Sequence, residues 1–136
     1  MLLACAIAPV EADVDALEII GPWLNETPPG RPVAAVYMEL HNRGSRSLAV
    51  VGARSDAAGS AALHGHRMQA GMMHMYEVER LEIPAGSSVV LRSGGYHLML
   101  DEVHERLQHG ARLPFCLQLE GGGEVCAEAQ VRKFGE

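Results

Sequence analysis

The sequence predicts an all-β fold, either a β-sandwich or a Greek-key barrel. Short segments of alternating or continuous apolar residues recur about every ten residues, the spacing of consecutive strands in such folds. Clusters of Gly, Pro and Asn separate these segments and are typical of turns. We expect strands near Ala16–Trp23, Val33–Asn42, Leu48–Ser55, Ala61–His66, Met72–Val78, Ser87–Leu91, Tyr96–Leu100, Arg112–Leu119 and Glu124–Val131. Only Asp101–Gln108 is expected to form a short helical turn.

Alternation within a segment indicates which face of each strand is buried. Apolar and polar side chains alternate from Val36 to His41, which predicts a half-buried strand. Met38 lies on the apolar side and is expected to fill the core. The turns that end the strands are predicted at Pro28-Pro29-Gly30, Asn42-Arg43-Gly44, Pro84-Ala85-Gly86, Gly94-Gly95 and Gly121-Gly122-Gly123.

Composition limits what this protein can bind. The chain has 136 residues, 48% of them hydrophobic, which is enough for one domain with its own core, assigned to residues 13–136. A formal net charge of −6 without a Lys/Arg cluster argues against a nucleic-acid partner. No apolar run reaches transmembrane length. The sequence shows no nucleophile–base pair, phosphate-binding loop or paired carboxylates, so we predict a protein that is not an enzyme.

Residues 1–12 are interpreted as the remnant of an export signal or as a flexible N-terminus. They are apolar and contain small residues, but the basic segment that opens an export signal is missing. Val10-Glu11-Ala12 would suit a signal peptidase, and Leu2-Leu3-Ala4-Cys5 matches a bacterial lipoprotein box with Cys5 as the lipidated residue. We therefore expect a periplasmic or otherwise exported protein.

Two cysteines flank the triple-glycine turn. If the hairpin is centred on Gly121, Cys116 and Cys126 lie opposite each other on its outer face, at a separation that a disulfide can bridge. A cross-strand disulfide would fit an oxidising compartment. The alternative is a pair of reduced thiols, because a shift of one residue in the turn would separate the two sulfurs.

Histidine and methionine are concentrated in one part of the chain. Four of the seven histidines and five of the seven methionines lie between His64 and Met99. His97 and Met99 are two residues apart on a predicted strand and therefore share a face. His64 and His66 share a face in the same way, as do Met73 and Met75. The pattern predicts a four-ligand site with one side chain from each earlier segment and two from the His97 strand.

The donor types select the metal. Imidazole and thioether groups are neutral, so a divalent ion would leave two uncompensated charges in a partly desolvated site, whereas Cu(I) leaves one. Thioether sulfur has little affinity for zinc, calcium or magnesium. Blue-copper electron transfer requires a cysteine ligand, and the sequence has no Cys between His64 and Met99. The predicted cargo is therefore Cu(I).

The spacing of these donors resembles that of the PCuAC-type periplasmic copper chaperones. His64 and Met75 are separated by ten residues, and Met75 and His97-x-Met99 by twenty-one. Further similar blocks are Val33–Met38 with its Asn-Arg-Gly turn, Leu81–Gly86 and Gly94–Leu100. The similarity covers roughly Ala16 to Val131.

What the resemblance implies is a cupredoxin-like β-barrel that binds Cu(I) through His64, Met75, His97 and Met99. The family works outside the cytoplasmic membrane and supplies copper to the dinuclear centre of cytochrome c oxidase. The expected partner is that copper domain or an assembly factor, and the protein is expected to be a monomer. The chain has no His/Met-rich C-terminal tail of the kind some relatives carry, so a tail-dependent second copper, often Cu(II), should be absent.

Several alternatives remain open at this point. By spacing alone His66 could replace His64 as a ligand, and Met73 could replace Met75. The same site would also suit a copper-buffering or resistance protein without a specific acceptor. A β-sandwich interaction module with an incidental His/Met cluster is the third possibility, and it predicts no stoichiometric Cu(I) binding.

Overall fold

The computed structural model describes residues 13–27 and 29–134. Within them the chain forms a 3-10 helix, Val14–Ala16, and ten strands, and no α-helix, which confirms the all-β prediction. The strands are β1 Leu17–Asn25, β2 Ala34–Asn42, β3 Leu48–Arg54, β4 Ala58–Gln69, β5 Met72–Glu77, β6 Leu81–Ile83, β7 Ser88–Leu91, β8 His97–Val103, β9 Arg112–Leu119 and β10 Glu124–Arg132. In this part of the chain no helix could cross a membrane. The export remnant predicted at residues 1–12, with Cys5, lies outside the described residues.

All ten strands belong to one sheet, which curls so that its apolar side chains meet inside. The order is β5-β4-β8-β2-β1-β10-β9-β3-β6, and β7 pairs with β2 next to β8. Every pair is antiparallel except β1 with β10. Leucines dominate the fully buried side chains, and each contributes about 1.5–3 kcal/mol by leaving water. The largest of these side chains are Phe115, Leu24, Leu40, Ile83, Leu91, Leu98, Leu100, Leu113 and Leu117.

Strand β2 has the alternation that its sequence predicts. Every second residue from Ala34 to Asn42 is buried and the residues between them are partly exposed. Met38 is in the core, as expected. Asn42 ends the strand fully buried, where its side-chain amide donates to the carbonyls of Arg46 and Ile83 at 2.8 and 2.9 Å. These bonds satisfy a polar group that would otherwise oppose burial.

The helical turn predicted at Asp101–Gln108 is wrong. Asp101–Val103 continue β8 and pair with Ser60 and Ala58 of β4. Farther along, the Leu107 amide donates to Thr27 Oγ1 at 2.8 Å, and the Thr27 amide donates to the Leu107 carbonyl at 3.1 Å. These long-range bonds use backbone groups that a helix would have paired locally.

Strand β4 is longer than predicted, and one strand was not predicted at all. β4 is twelve residues long and reaches Gln69, three residues beyond the predicted end at His66. The short strand β6 pairs with Leu48–Val50 of β3 and was not predicted. Its three residues are too few to show the alternation of buried and exposed side chains that identifies a strand. It is a strand because it pairs with β3, which is distant in the sequence.

Of the two states that the sequence left open for Cys116 and Cys126, the structure has the disulfide. The two residues are directly opposite in the β9–β10 pair, with Cα atoms 4.0 Å apart, and their sulfurs are bonded. Leu113, Leu117 and Leu119 point into the core from the other face of β9. Alternation on both strands therefore fixed the register that the sequence suggested.

We predict that Leu98→Ala will lower the free energy of unfolding of the metal-free protein by about 2–5 kcal/mol. Leu98 is fully buried, pairs with Leu63, and lies on β8 between His97 and Met99, so the substitution opens a cavity beneath both. Denaturant unfolding measures the change. Val90→Ala, on an exposed side chain, is the control and should shift stability by no more than about 0.5 kcal/mol. Equal losses in both variants would contradict this account of the core.

Candidate metal site

The His/Met residues lie on three adjacent strands at one end of the sheet, in the order β5-β4-β8. In the β4–β8 pair His64 is opposite His97, and Met99 is opposite Ala62. In the β4–β5 pair His66 is opposite Met75. Side chains of directly opposed residues share a face of the sheet. All four predicted ligands are therefore on one face, together with His66.

The register arranges these donors along two parallel diagonals. Met75, His64 and Met99 lie on one diagonal across β5, β4 and β8. Each is on the next strand and is displaced along it by two residues from the position directly opposite. His66 and His97 lie on the next. The ring centroids of His66 and His97 are 5.3 Å apart, closer than the 5.8 Å between the directly opposed rings of His64 and His97. Diagonals in this direction are therefore short enough for long thioether side chains to reach an imidazole.

His97 is the fixed member of the group. Only 4% of its surface is exposed, and its Nδ1 is 3.1 Å from the carbonyl oxygen of Gly95. Because a carbonyl can only accept, Nδ1 carries the proton and donates it to this bond. The lone pair is then on Nε2, which is left available to a metal, as is usual for ligating histidines. The predicted turn at Gly94-Gly95 thus supplies the group that orients the ring.

The other two imidazoles each have an unsatisfied nitrogen. Nδ1 of His64 and Nδ1 of His66 are both buried and have no hydrogen-bond partner. Buried polar atoms in native proteins are nearly always paired, and an unpaired one is commonly explained by a missing ion or water. Two buried, unpaired ring nitrogens close to His97 fit a site for a transition metal. The residues present are therefore chemically suited to bind copper.

The methionines differ in access and in distance from His64. Met75 has 51% of its surface exposed, whereas Met99 is partly buried. Met73 is opposite Met68 and so lies one register step farther toward the hairpin tip than Met75. This geometry favours Met75 over Met73 as the sulfur donor beside His64. It does not separate His64 from His66, because both are adjacent to His97.

Two local features hold the β4–β5 register. The strands are joined by a two-residue turn, Ala70-Gly71, with φ of 53° and 79°, the conformation that matches the twist of a hairpin. On the opposite face Gly65 packs beneath the Tyr76 ring, where an added Cβ would be 3.0 Å from the ring. The Arg67 guanidinium lies 4.3 Å from the centroid of the same ring. A slip of one residue between the two strands would break this stack and turn the β5 donors to the opposite face.

One residue of the donor face is not among the ligands predicted from the sequence. Glu77 is directly opposite His64 and therefore lies on the donor face, where its side chain is exposed. The signal was the tight turn: once Ala70-Gly71 is recognised as a two-residue loop, the opposition of Glu77 to His64 and of Met75 to His66 follows. Ala-Gly is a weaker signal for such a turn than Asn-Gly or Asp-Gly, so the sequence did not predict the β4–β5 register.

Another cluster of donor groups does not offer a metal site. Cys116, Glu124 and Cys126 are the only three His, Cys, Asp or Glu residues of the described chain whose donor atoms all lie within 4.8 Å of one another. Because the two sulfurs are joined in a disulfide, no thiolate is available there. The donor atoms of His64, His66 and His97 do not all meet this distance, so their rings must turn toward an ion to bind it together.

The environment of His97 favours its neutral form. Burial lowers the pKa of the imidazole, and repulsion from His66 and His64 acts in the same direction, while the hydrogen bond to Gly95 opposes both. The net shift is below the ordinary value of 6.5. A neutral ring is the form that binds a metal, so His97 stays available to lower pH than a free histidine would.

Solved structures with the same architecture carry PCuAC domains. The apo PCuAC domain from PmoF1 has a TM-score of 0.75 at 27% identity, covering 91% of this chain and 99% of that one. The copper-bound PCuAC domain from PmoF2 has a TM-score of 0.73 at 26% identity, covering 91% and 98%. For CuI-DR1885 from Deinococcus radiodurans the values are 0.70 and 30%, covering 93% and 86%. The fold is therefore cupredoxin-like and of the PCuAC type, which confirms the resemblance seen in the sequence.

Sequence comparison then gives the family. The family described as "Putative lipoprotein LpqE-like" matches residues 17–131. A relative from Leifsonia xyli subsp. xyli (strain CTCB07), "Putative lipoprotein Lxx21020", is 31% identical over 121 residues, which are 88% of this chain and 72% of the relative. The chain belongs to the LpqE-like family.

The lowered pKa of His97 predicts a loss of stability in acid for the metal-free protein. Since the unfolded chain has the ordinary pKa of about 6.5, it binds more protons than the folded state just below that pH. The contribution of His97 is therefore complete above about pH 6.5 and is lost as pH falls toward the lowered pKa. His97→Gln should lose less stability than the parent between pH 7.5 and 5.5, measured by denaturant unfolding. His104→Gln, at an exposed histidine, is the control, and an unchanged pH dependence in His97→Gln would contradict the prediction.

Proposed function

We propose that this protein is a Cu(I)-binding metallochaperone that holds the ion through His64, Met75, His97 and Met99 and passes it to an acceptor. The observation that carries the proposal is the shared face of β5, β4 and β8, where two thioethers and two imidazoles are adjacent in register. The copper-bound PCuAC structures among the relatives support copper as the cargo. Because all four donors are neutral, the monovalent ion leaves the least uncompensated charge.

The gradient of exposure supports transfer rather than permanent storage. His97 is buried and oriented by Gly95, whereas Met75 is on the edge strand β5 and half exposed. An incoming donor can therefore displace Met75 first while His97 still holds the ion. Exchange of one ligand at a time moves copper between proteins without releasing it as a free ion.

We also propose that the protein acts as a monomer outside the cytoplasmic membrane, in the periplasm or as an exported lipoprotein modified at Cys5. The lipoprotein names of its family and of its Leifsonia relative support export. The Cys116–Cys126 disulfide supports an oxidising compartment. The proposed acceptor is the copper domain of cytochrome c oxidase, or an assembly factor for it, as the resemblance to PCuAC chaperones implies.

We expect the wild-type protein to bind one Cu(I) in competition with a Cu(I) chelator at pH 7.5, and Met75→Ala and His97→Ala to weaken binding at least about tenfold. Loss of a residue that merely supports a ligand already costs about 10–100-fold in affinity, and loss of a ligand should cost no less. Ascorbate keeps the copper reduced and leaves the disulfide intact.

Met72→Ala is the matched control for these variants. Met72 is on the same strand and is also exposed, but it faces away from Met75 because the two are an odd number of residues apart. Its affinity should equal that of the wild type. If Met72→Ala weakens binding as much as Met75→Ala, or if the wild type binds no Cu(I), the proposed ligand set is wrong.

A transfer experiment separates a chaperone from a copper buffer. The Cu(I)-loaded protein is mixed with the purified apo copper domain of cytochrome c oxidase, the two are separated by chromatography, and copper is measured in each. We expect most of the copper in the oxidase domain, since ligand exchange at Met75 opens the site to it. Retention of copper by this protein would favour the buffering function instead.

A further inference from the structure

We propose that the same face also binds Cu(II), through the imidazoles of His64, His66 and His97 with the carboxylate of Glu77. The inference deepens the proposed function and rests on it, because it concerns the same site and the same cargo in its other oxidation state. It assigns His66 and Glu77, which stand outside the four-ligand set, a role of their own.

His66 is placed as well as the proposed ligands are. Its ring centroid is 5.3 Å from that of His97, and the two rings are inclined by only 32°. It is also the residue directly opposite Met75, the most accessible of the four proposed ligands. An ion held near His97 therefore has the His66 imidazole within reach whenever Met75 is displaced.

The unsatisfied nitrogen of His66 has the same character as that of His64. In both rings Nδ1 is buried without a hydrogen-bond partner, although the rings themselves are partly exposed. A histidine placed here only for packing would be expected to pair that nitrogen with water or a neighbouring group. The His66 side chain also lines an open surface cavity together with Arg92, Gly95 and Tyr96, so part of it is accessible from outside.

Glu77 supplies the charge that a divalent ion requires. It is directly opposite His64, at the level of His97, and lies on the donor face. Neutral imidazoles alone would leave both charges of Cu(II) uncompensated, and one carboxylate removes half of that excess. Glu77 can also contribute an oxygen ligand.

These four side chains form a nitrogen and oxygen donor set that differs from the proposed Cu(I) set. Nitrogen and oxygen ligands favour Cu(II), whereas thioether sulfur favours Cu(I). His64 and His97 belong to both sets. A change from Met75 and Met99 to His66 and Glu77 would let one face hold either oxidation state without a second site elsewhere in the chain.

The test is a titration of the metal-free protein with Cu(II), using glycine as the competing chelator, together with electron paramagnetic resonance of the one-equivalent complex. The wild type should show hyperfine coupling from three nitrogens. His66→Gln should weaken Cu(II) binding at least about tenfold, because loss of a residue that merely supports a ligand already costs about 10–100-fold in affinity. It should also reduce the coupling to two nitrogens. Glu77→Gln should weaken Cu(II) binding while three nitrogens remain.

The matched control is His74→Gln. His74 is on β5 next to Met75 but points to the opposite face, opposite Arg67, and is exposed. It should leave Cu(II) affinity and the nitrogen coupling unchanged. If His66→Gln binds Cu(II) as tightly as the wild type with the same spectrum, or if His74→Gln has the same effect as His66→Gln, the proposal is overturned. Unfolding of each metal-free variant confirms that the fold is retained.

Parallel Cu(I) titrations distinguish this inference from the proposed function. His66→Gln should change Cu(I) affinity much less than Met75→Ala does, because both thioethers and two imidazoles remain. Absence of Cu(I) binding by the wild type would overturn the proposed function. Loss of Cu(II) binding in His66→Gln with Cu(I) binding intact would support both.

Discussion

The pairing register of β5, β4 and β8 is the constraint on which the site depends. Opposed residues share a face, so the pairs His64–His97 and His66–Met75 gather every candidate donor on one side. A shift of one strand by one residue would send the donors of that strand to the other side. The Ala70-Gly71 turn and the packing of Tyr76 on Gly65 hold this alignment, and Leu63 and Leu98 anchor it in the core. The packing of the apolar side chains on the core face of β4 and β8 thus positions the metal donors on the other face.

The site combines a rigid end with an accessible end. His97 is buried, and its ring is held by the carbonyl of Gly95 in the turn that precedes β8. Met75 is on an edge strand with about half its surface exposed. A carrier must bind its cargo selectively and still release it, and these requirements conflict in a fully enclosed site. The proposed ligands His97 and Met75 lie in the core and at the edge of the sheet, an arrangement that would meet both requirements.

The two kinds of sulfur in this protein are used in different places. Cys116 and Cys126 are joined across β9 and β10, which β1 and β2 separate from the donor strands in the sheet order. These two cysteines therefore offer no thiolate of the kind that favours zinc or a blue-copper centre. The methionines do not form disulfides, so their sulfurs stay available to a soft metal under oxidising conditions.

Local pattern was enough for features that involve neighbours along the chain. Alternation defined the buried face of β2 around Met38 and the face shared by His97 and Met99. It also offered the opposition of Cys116 and Cys126 across the glycine turn as one of two alternatives, and the structure has that alternative. Tertiary structure decided what depends on distant partners. The Leu107 amide bonds to the side chain of Thr27 and so does not take part in a helical turn. Strand β4 pairs with β5 on one side and β8 on the other, which places Glu77 and His97 on either side of His64. A sequence specifies the period of each strand, but which strands become neighbours, and in what alignment, is determined by how all the buried side chains pack together.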